Sequence, residues 1–308
     1  VLATVAAYRK AMNAFTDQGN LDVWYARVDV DELSRLFTEG VDVKRMKVLE
    51  RELELGRLNT CVKAVGRLTA IVDGKVCFLY KPPLLVPVDK LLSGDDREDA
   101  EDNLKGLLAG YRDSLSANRR TLLDGYRYGS MARKVVGVGS VGMRVWVILL
   151  HGRDGRDPLL QAKEASTSVL EEHLGPSTSG NHAARVVEGQ QLMQAASDIF
   201  LGWLSARGPD GGERDYYVRQ AADGKGAIDV SVLLPAGLAA YGRLCGWTLA
   251  PAHARAGDRI AISGYLGPGD AFDRAIAAFA ERYADQNEAD YKALQDAAAS
   301  GRVEAATG

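Results

Sequence analysis

Cysteine is scarce in this chain: Cys61, Cys77 and Cys245 are the only three among 308 residues, odd in number and far apart. With no CxxC pair, neither a zinc ribbon nor a disulfide scaffold is expected, and a reducing cytoplasm is the expected compartment. Histidine is nearly as rare. His151, His173, His182 and His253 show no HExxH or comparable spacing, so no metal site is expected from them. Long apolar runs are missing too. A stretch such as Val145 to Leu150 falls far short of the roughly 20 residues that a spanning helix needs, so no membrane partner is expected. Aromatic residues make up 7%, and 38 basic against 41 acidic side chains leave a formal charge of -3 with no basic tract. Such a chain offers neither the charge nor the stacking platforms that nucleic acid requires. It opens at Val1, inside a helical pattern and without a methionine or a signal-peptide n-region, and so reads as a fragment whose start lies elsewhere.

What is present is an ordinary globular composition, 46% hydrophobic and 26% charged, at a length that suggests two lobes. Apolar residues Leu2, Val5, Tyr8, Met12 and Phe15 recur at helical spacing, and Val23 to Val30 reads as strand-like or irregular. A second helix is expected after Asp31, and a long charged one from Val43 to about Thr69. Asp73-Gly74 between short apolar runs signals a hairpin, closed by Pro82-Pro83. The acidic stretch Gly94 to Asn103 reads as a solvated loop and helix start, followed by a helix from Leu104 to about Tyr128. From Lys134 to Ala165 the pattern becomes strand, Gly-rich turn, strand, hairpin, strand. Ala184 to Leu204 then reads as one amphipathic helix, with Leu192, Ala196, Ile199, Phe200 and Trp203 inward. Tyr216 to Gln220 is an expected strand, either interior or a connector whose backbone meets an adenine. Helices follow from Ala236 to about His253 and from Ala271 to Tyr283.

The chemistry centres on Gly137-Val138-Gly139-Ser140-Val141-Gly142, a GxGxxG pattern directly after a short strand. By itself the pattern does not discriminate. A dinucleotide-binding unit must enter a helix after the third glycine, whereas a kinase-type loop enters a second strand. Here MRVWVILL follows, β-branched and without a capping residue, which favours the kinase-type geometry over a nicotinamide-dependent oxidoreductase. The next strand, Leu159 to Ala165, carries Lys163, where a kinase-like site puts the amine that pairs with the α- and β-phosphates. Glu188, at the margin of the expected apolar helix face, is the candidate acid that holds the lysine. Arg185 is the alternative partner for Glu188, and Glu171 and Glu172 are competing acids. His253-Ala254-Arg255-Ala256-Gly257-Asp258 imitates a His-Arg-Asp loop with stretched spacing. It reads as a helix end plus turn, leaving Asp258 the one weak catalytic candidate.

The segments VGVGSVG, LLQAKEA, RVVEGQQLMQAASDIFLGW, DYYVRQ, GRLCGWTLAPAHARAGD and YADQNEAD resemble the bacterial family called domain of unknown function 2252, grouped with the protein-kinase-like fold. LDVWYARVDVDEL and the hairpin running into KPPLLVPV match it as well. The resemblance implies a circularly rearranged kinase-like protein in which Gly137, Gly139, Gly142 and Lys163 line a nucleotide site for ATP with Mg²⁺; Ser140 in the loop and Glu188 are further candidates for that site. It also implies that the catalytic loop and the metal ligands precede Val1, making this chain the C-terminal portion of the family's length. The valine expected two residues after Gly142 is Arg144, with Val145 one later, which leaves two registers for the loop.

The expected fold is therefore α+β and protein-kinase-like. Residues 1–129 would be helical with a hairpin near 71–80, 130–226 the small β-rich lobe, and 227–308 the helical remainder of the larger lobe. The expected function is an ATP/Mg²⁺-dependent phosphotransferase of unknown substrate and phosphate acceptor, with this chain lacking the catalytic loop. The alternative is a nucleotide-binding pseudokinase or interaction module that transfers no phosphate.

Overall fold

A computed structural model describes residues 1–28, 61–72, 74–91, 106–137, 142–153, 157–207, 212–221 and 230–305. The protein is α+β and divides into two compact units, one of residues 1–46 with 229–308 and one of residues 47–228.

The first unit is helical. The helix Leu2–Thr16 packs along Pro235–Ala256, with Arg259–Leu266 and Ala271–Ala299 beside it. Met12, Phe15, Val23, Ala250, Ala254 and Leu266 form its core, as the helical spacing of Met12 and Phe15 predicts. Gly246 permits the close approach: a Cβ there would run into the carbonyl oxygen of Thr4. Arg9 and Asp273 are both buried in this unit and form a bidentate pair. Arg9 Nε donates to Asp273 Oδ1 at 2.9 Å and Nη2 to Oδ2 at 2.7 Å, while Nη1 donates to the Pro268 carbonyl at 3.1 Å. Fork geometry and the third hydrogen bond offset the cost of desolvating both charges.

The second unit is built on a six-stranded antiparallel sheet in the order β3-β4-β5-β6-β8-β7. Its strands are β3 (Leu85–Pro87), β4 (Tyr126–Lys134), β5 (Val145–Gly152), β6 (Leu159–Ala165), β7 (Gly202–Arg207) and β8 (Glu213–Gln220). A separate hairpin pairs β1 (Thr69–Val72) with β2 (Lys75–Phe78); Gly74 has φ 76°, which a tight turn demands and glycine supplies without strain. Side chains alternate across the sheet. On one face Ile148, Leu150, Leu160, Ala162, Tyr216 and Val218 pack against Tyr111 and Leu115. On the other, Val147, Leu149 and Leu159 pack with Phe78 of the hairpin and Leu85. The Tyr111 hydroxyl donates to the Phe200 carbonyl at 2.6 Å, and burial pushes its pKa well above the ordinary phenol value.

Several sequence expectations are corrected. Val23 lies in a short helix, Asn20–Tyr25, not in a strand. The helix expected to run to Tyr128 breaks at residues 114–116 and yields to β4 at Tyr126. The expected helix from Ala184 to Leu204 is a shorter one, His182–Met193, followed by β7. Asn181 caps it, its side chain accepting from the amides of Ala183 and Ala184 at 2.9 and 2.8 Å. Beyond Met193 the backbone is claimed by tertiary partners: Asp198 accepts from the amides of Phe200 and Gln220 at 2.8 and 2.6 Å. The segment before β4 is tied to the sheet, because β3 pairs with β4 and Tyr111 enters the sheet's core. The helix expected after Asp31 and the acidic stretch from Gly94 to Asn103 lie outside the described residues.

Replacing Asp273 by Asn leaves the buried Arg9 guanidinium without its charge partner. Asp273→Asn should destabilise the helical unit by about 3 kcal/mol, measured by urea unfolding. Arg274→Ala, which removes an exposed pair with Asp270, should shift stability by less than about 0.5 kcal/mol. Equal effects would show that the burial of Arg9 and Asp273 carries no energetic weight.

Candidate functional site

The candidate site lies where β5, β6 and β8 run side by side. Register sets Val145 opposite Lys163 and Lys163 opposite Tyr217, so the three stand in one row on one face. Arg144, one residue earlier, belongs to the opposite face. Its amide donates to Glu164 Oε2 at 3.0 Å, its guanidinium approaches the same oxygen at 3.6 Å, and Arg214 Nε lies 3.5 Å from Glu164 Oε1. Between the two registers left open for the loop, the structure places Val145, not Arg144, beside Lys163.

Around this row is a cavity of about 280 Å³, lined by Met143, Val145, Lys163, Ser166, Arg185 and Tyr217 among others. That is just below the roughly 300–1,000 Å³ of typical ligand pockets. Burial pushes the Tyr217 phenol up, partly offset by the positive charge of Arg219. Gly142 has φ 83°, where an L side chain would be strained, and it turns the chain into β5. Gly137 is described as irregular backbone just beyond β4, whereas Gly139 and Ser140 lie outside the described residues.

The helix His182–Met193 reaches the cavity through Arg185 and Val186. Its position is set by one carboxylate. Asp215 on β8 accepts from the Asn181 side chain at 2.6 Å, the His182 amide at 2.9 Å and the Ser205 hydroxyl at 2.8 Å. With the helix so held, Ala183, Ala184 and Val187 are buried, whereas Glu188 is exposed and does not line the cavity. Glu188, expected as the acid beside Lys163, is thus on the exposed side of the helix in this structure. The expected apolar stripe borrowed residues from β7 and its approach, and Leu192, which anchored it, is 38% exposed. Arg185 does not pair with Glu188 either. Its Nη1 lies 3.5 Å from Glu171 Oε1, and Nη2 donates to the Ser166 carbonyl at 2.7 Å.

Asp258 is in the helical unit and acts as an N-cap, accepting from the amides of Ile260 and Ala261 at 2.9 and 3.0 Å. The nearby His253 Nδ1 is 2.9 Å from the Tyr8 hydroxyl. This segment is a helix end and a turn. Among the described residues, no group of three or more His, Cys, Asp or Glu side chains is placed to hold a metal ion. No helix among them is long and apolar enough to cross a membrane. The Arg144–Glu164–Arg214 cluster and the role of Asp215 were not anticipated. They arise from cross-strand register, for which the sequence has no local signal. Asn181 was findable, since Asn is a preferred cap directly before a helix.

A family model described as an uncharacterized protein conserved in bacteria, DUF2252, matches residues 1–297. The chain belongs to this family. No curated protein and no solved structure matches it.

If Asp258 is a cap and nothing more, Asp258→Ala should cost about 1 kcal/mol of stability and leave nucleotide binding unchanged. Calorimetric melting and a binding titration on the same variant check this. Weakened binding without any loss of stability would return Asp258 to the functional candidates.

Proposed function

We propose that residues 47–228 include the nucleotide-binding small lobe of a kinase-like, ATP-dependent phosphotransferase, probing the phosphates of its ligand through Lys163. The observation that carries this reading is the order of elements around one row of side chains. A strand, a Gly-rich turn and a second strand lead into a third strand, whose lysine lines a cavity beside Val145 and a following helix. Protein kinases put their phosphate-pairing lysine on the third strand and a helix after it. A lysine suits the task because it carries a compact positive charge on a flexible stem. The strand after Gly142 argues against a dinucleotide-binding unit, which needs a helix there.

The phosphate acceptor is unknown, and Mg²⁺ enters only through the resemblance to kinase-like proteins. No step is routed through it. The catalytic loop and metal ligands belong, on this reading, to sequence preceding Val1. For the present chain a second reading has its own support: nucleotide binding without phosphoryl transfer. Asp258, the one weak catalytic candidate, is engaged as a cap.

Two outcomes follow for the 308-residue chain. ATP should bind, and Lys163→Met should weaken binding about tenfold or more, as loss of a charged hydrogen bond predicts, while Lys134→Met should not. ATP hydrolysis should stay at background in the chain alone and rise in one extended upstream of Val1. Titration calorimetry and a phosphate-release assay measure both. ATP affinity indifferent to Lys163 would overturn the nucleotide site, and Lys163-dependent turnover by the chain alone would overturn the absence of a catalytic loop.

A further inference from the structure

We infer that Arg185, not Glu188, is the residue the helix contributes to the Lys163 cavity, and that it binds a phosphate group of the ligand in competition with Glu171. The choice of ligand rests on the nucleotide reading above; the cationic site itself does not. Both Lys163 and Arg185 line the same cavity. A kinase-like helix would bring an acid there, and this one brings a second cation.

The hydrogen bonding of Arg185 is incomplete. Nη2 is well used, donating to the Ser166 carbonyl at 2.7 Å, but Nη1 has only the long 3.5 Å contact with Glu171. Nε is buried and has no hydrogen-bond partner among the described residues. A guanidinium is a planar fork whose donors match two oxygens of a phosphate, and an orphaned buried donor is costly. Phosphate accepting from Arg185 would satisfy the donors that Glu171 serves poorly. The surroundings favour an anion. The buried Nε of Arg219, on β8 two residues beyond Tyr217, likewise lacks a partner among the described residues. Glu164 also lines the cavity, but its carboxylate is engaged by Arg144 and Arg214.

Glu171 then acts as an internal stand-in for the ligand. It holds Arg185 at the cavity while no phosphate is bound, and its carboxylate must be displaced when one arrives. The acid that opposes phosphate binding is on the loop side of the helix rather than on the helix itself.

The test is calorimetric titration of the whole chain and four variants with ATP, inorganic pyrophosphate and adenosine, with thermal melting to confirm folding. Arg185→Met should weaken ATP and pyrophosphate binding about tenfold or more, and Arg185→Lys less so, with adenosine unaffected. Glu171→Gln should bind both phosphates as tightly as the parent or tighter, because it removes the competitor and keeps the guanidinium. Glu188→Gln should change nothing. If Arg185→Met and Glu171→Gln weaken binding alike, the pair is purely structural and the inference falls, while the nucleotide reading stands. Phosphate affinity that follows Glu188 and ignores Arg185 also overturns it. Pyrophosphate binding that depends on Arg185 without any ATP binding would leave the anion site intact and remove the nucleotide reading. Binding of neither removes both.

Discussion

The register of β6 between β5 and β8 is the constraint on which the sheet unit depends. In a strand buried on both sides, successive side chains serve different cores. Leu160 and Ala162 join Tyr216 and Val218 over Tyr111, while Leu159 joins Val147 and Leu149 on the other side. A slip of one residue would exchange the two sets. It would also move Lys163 to the face where Glu164 now meets Arg144 and Arg214. The position of the candidate site is therefore a consequence of hydrophobic pairing, and the charged residues are carried along with it.

A second, smaller set of polar contacts orients the helix over that site. Asp215 fastens Asn181, His182 and Ser205 together, so the beginning of the helix is tied to the β7–β8 hairpin. The rest of the helix follows from this anchor: Ala183, Ala184 and Val187 turn inward, Arg185 arrives at the cavity, and Glu188 faces solvent. In the helical unit Arg9 and Asp273 play the comparable part, a buried pair whose two ends are 264 residues apart in the chain. Each unit thus relies on carboxylates that bring distant segments into one geometry.

Periodicity made much of the architecture legible. The helix from Leu2, the hairpin around Gly74, the strand after the Gly-rich turn and the helix after residue 235 appear where apolar spacing and turn residues place them. The strand before that turn, however, ends at Lys134 instead of starting there, and the last helix runs past Tyr283 to Ala299. The overlong helix has a separate cause. Residues 184–204 do show a helical apolar period, but Phe200 and Leu204 are buried by Tyr111 and by strand neighbours, not by a helix face. Asp198 accepts from the Phe200 amide, which a helix would have used, and from the amide of Gln220 on β8, so side-chain and tertiary hydrogen bonding overrode the local pattern. With the helix ending at Met193, its buried face is that of Ala183, Ala184 and Val187, and Glu188 is exposed.

By itself the sequence determined most of the helices and strands, that a Gly-rich turn leads into a strand followed by one carrying Lys163, and that the chain resembles one bacterial family. Those properties are local or cumulative: spacing, turn chemistry and long matching segments are readable without knowing what lies across the fold. Only the tertiary structure decided that Val145 rather than Arg144 stands beside Lys163 and that Arg185 rather than Glu188 lines the cavity. Each of these turns on which face a residue presents. Cross-strand register and helix rotation are set by the sum of buried contacts, and a single side chain in the sequence does not record that sum.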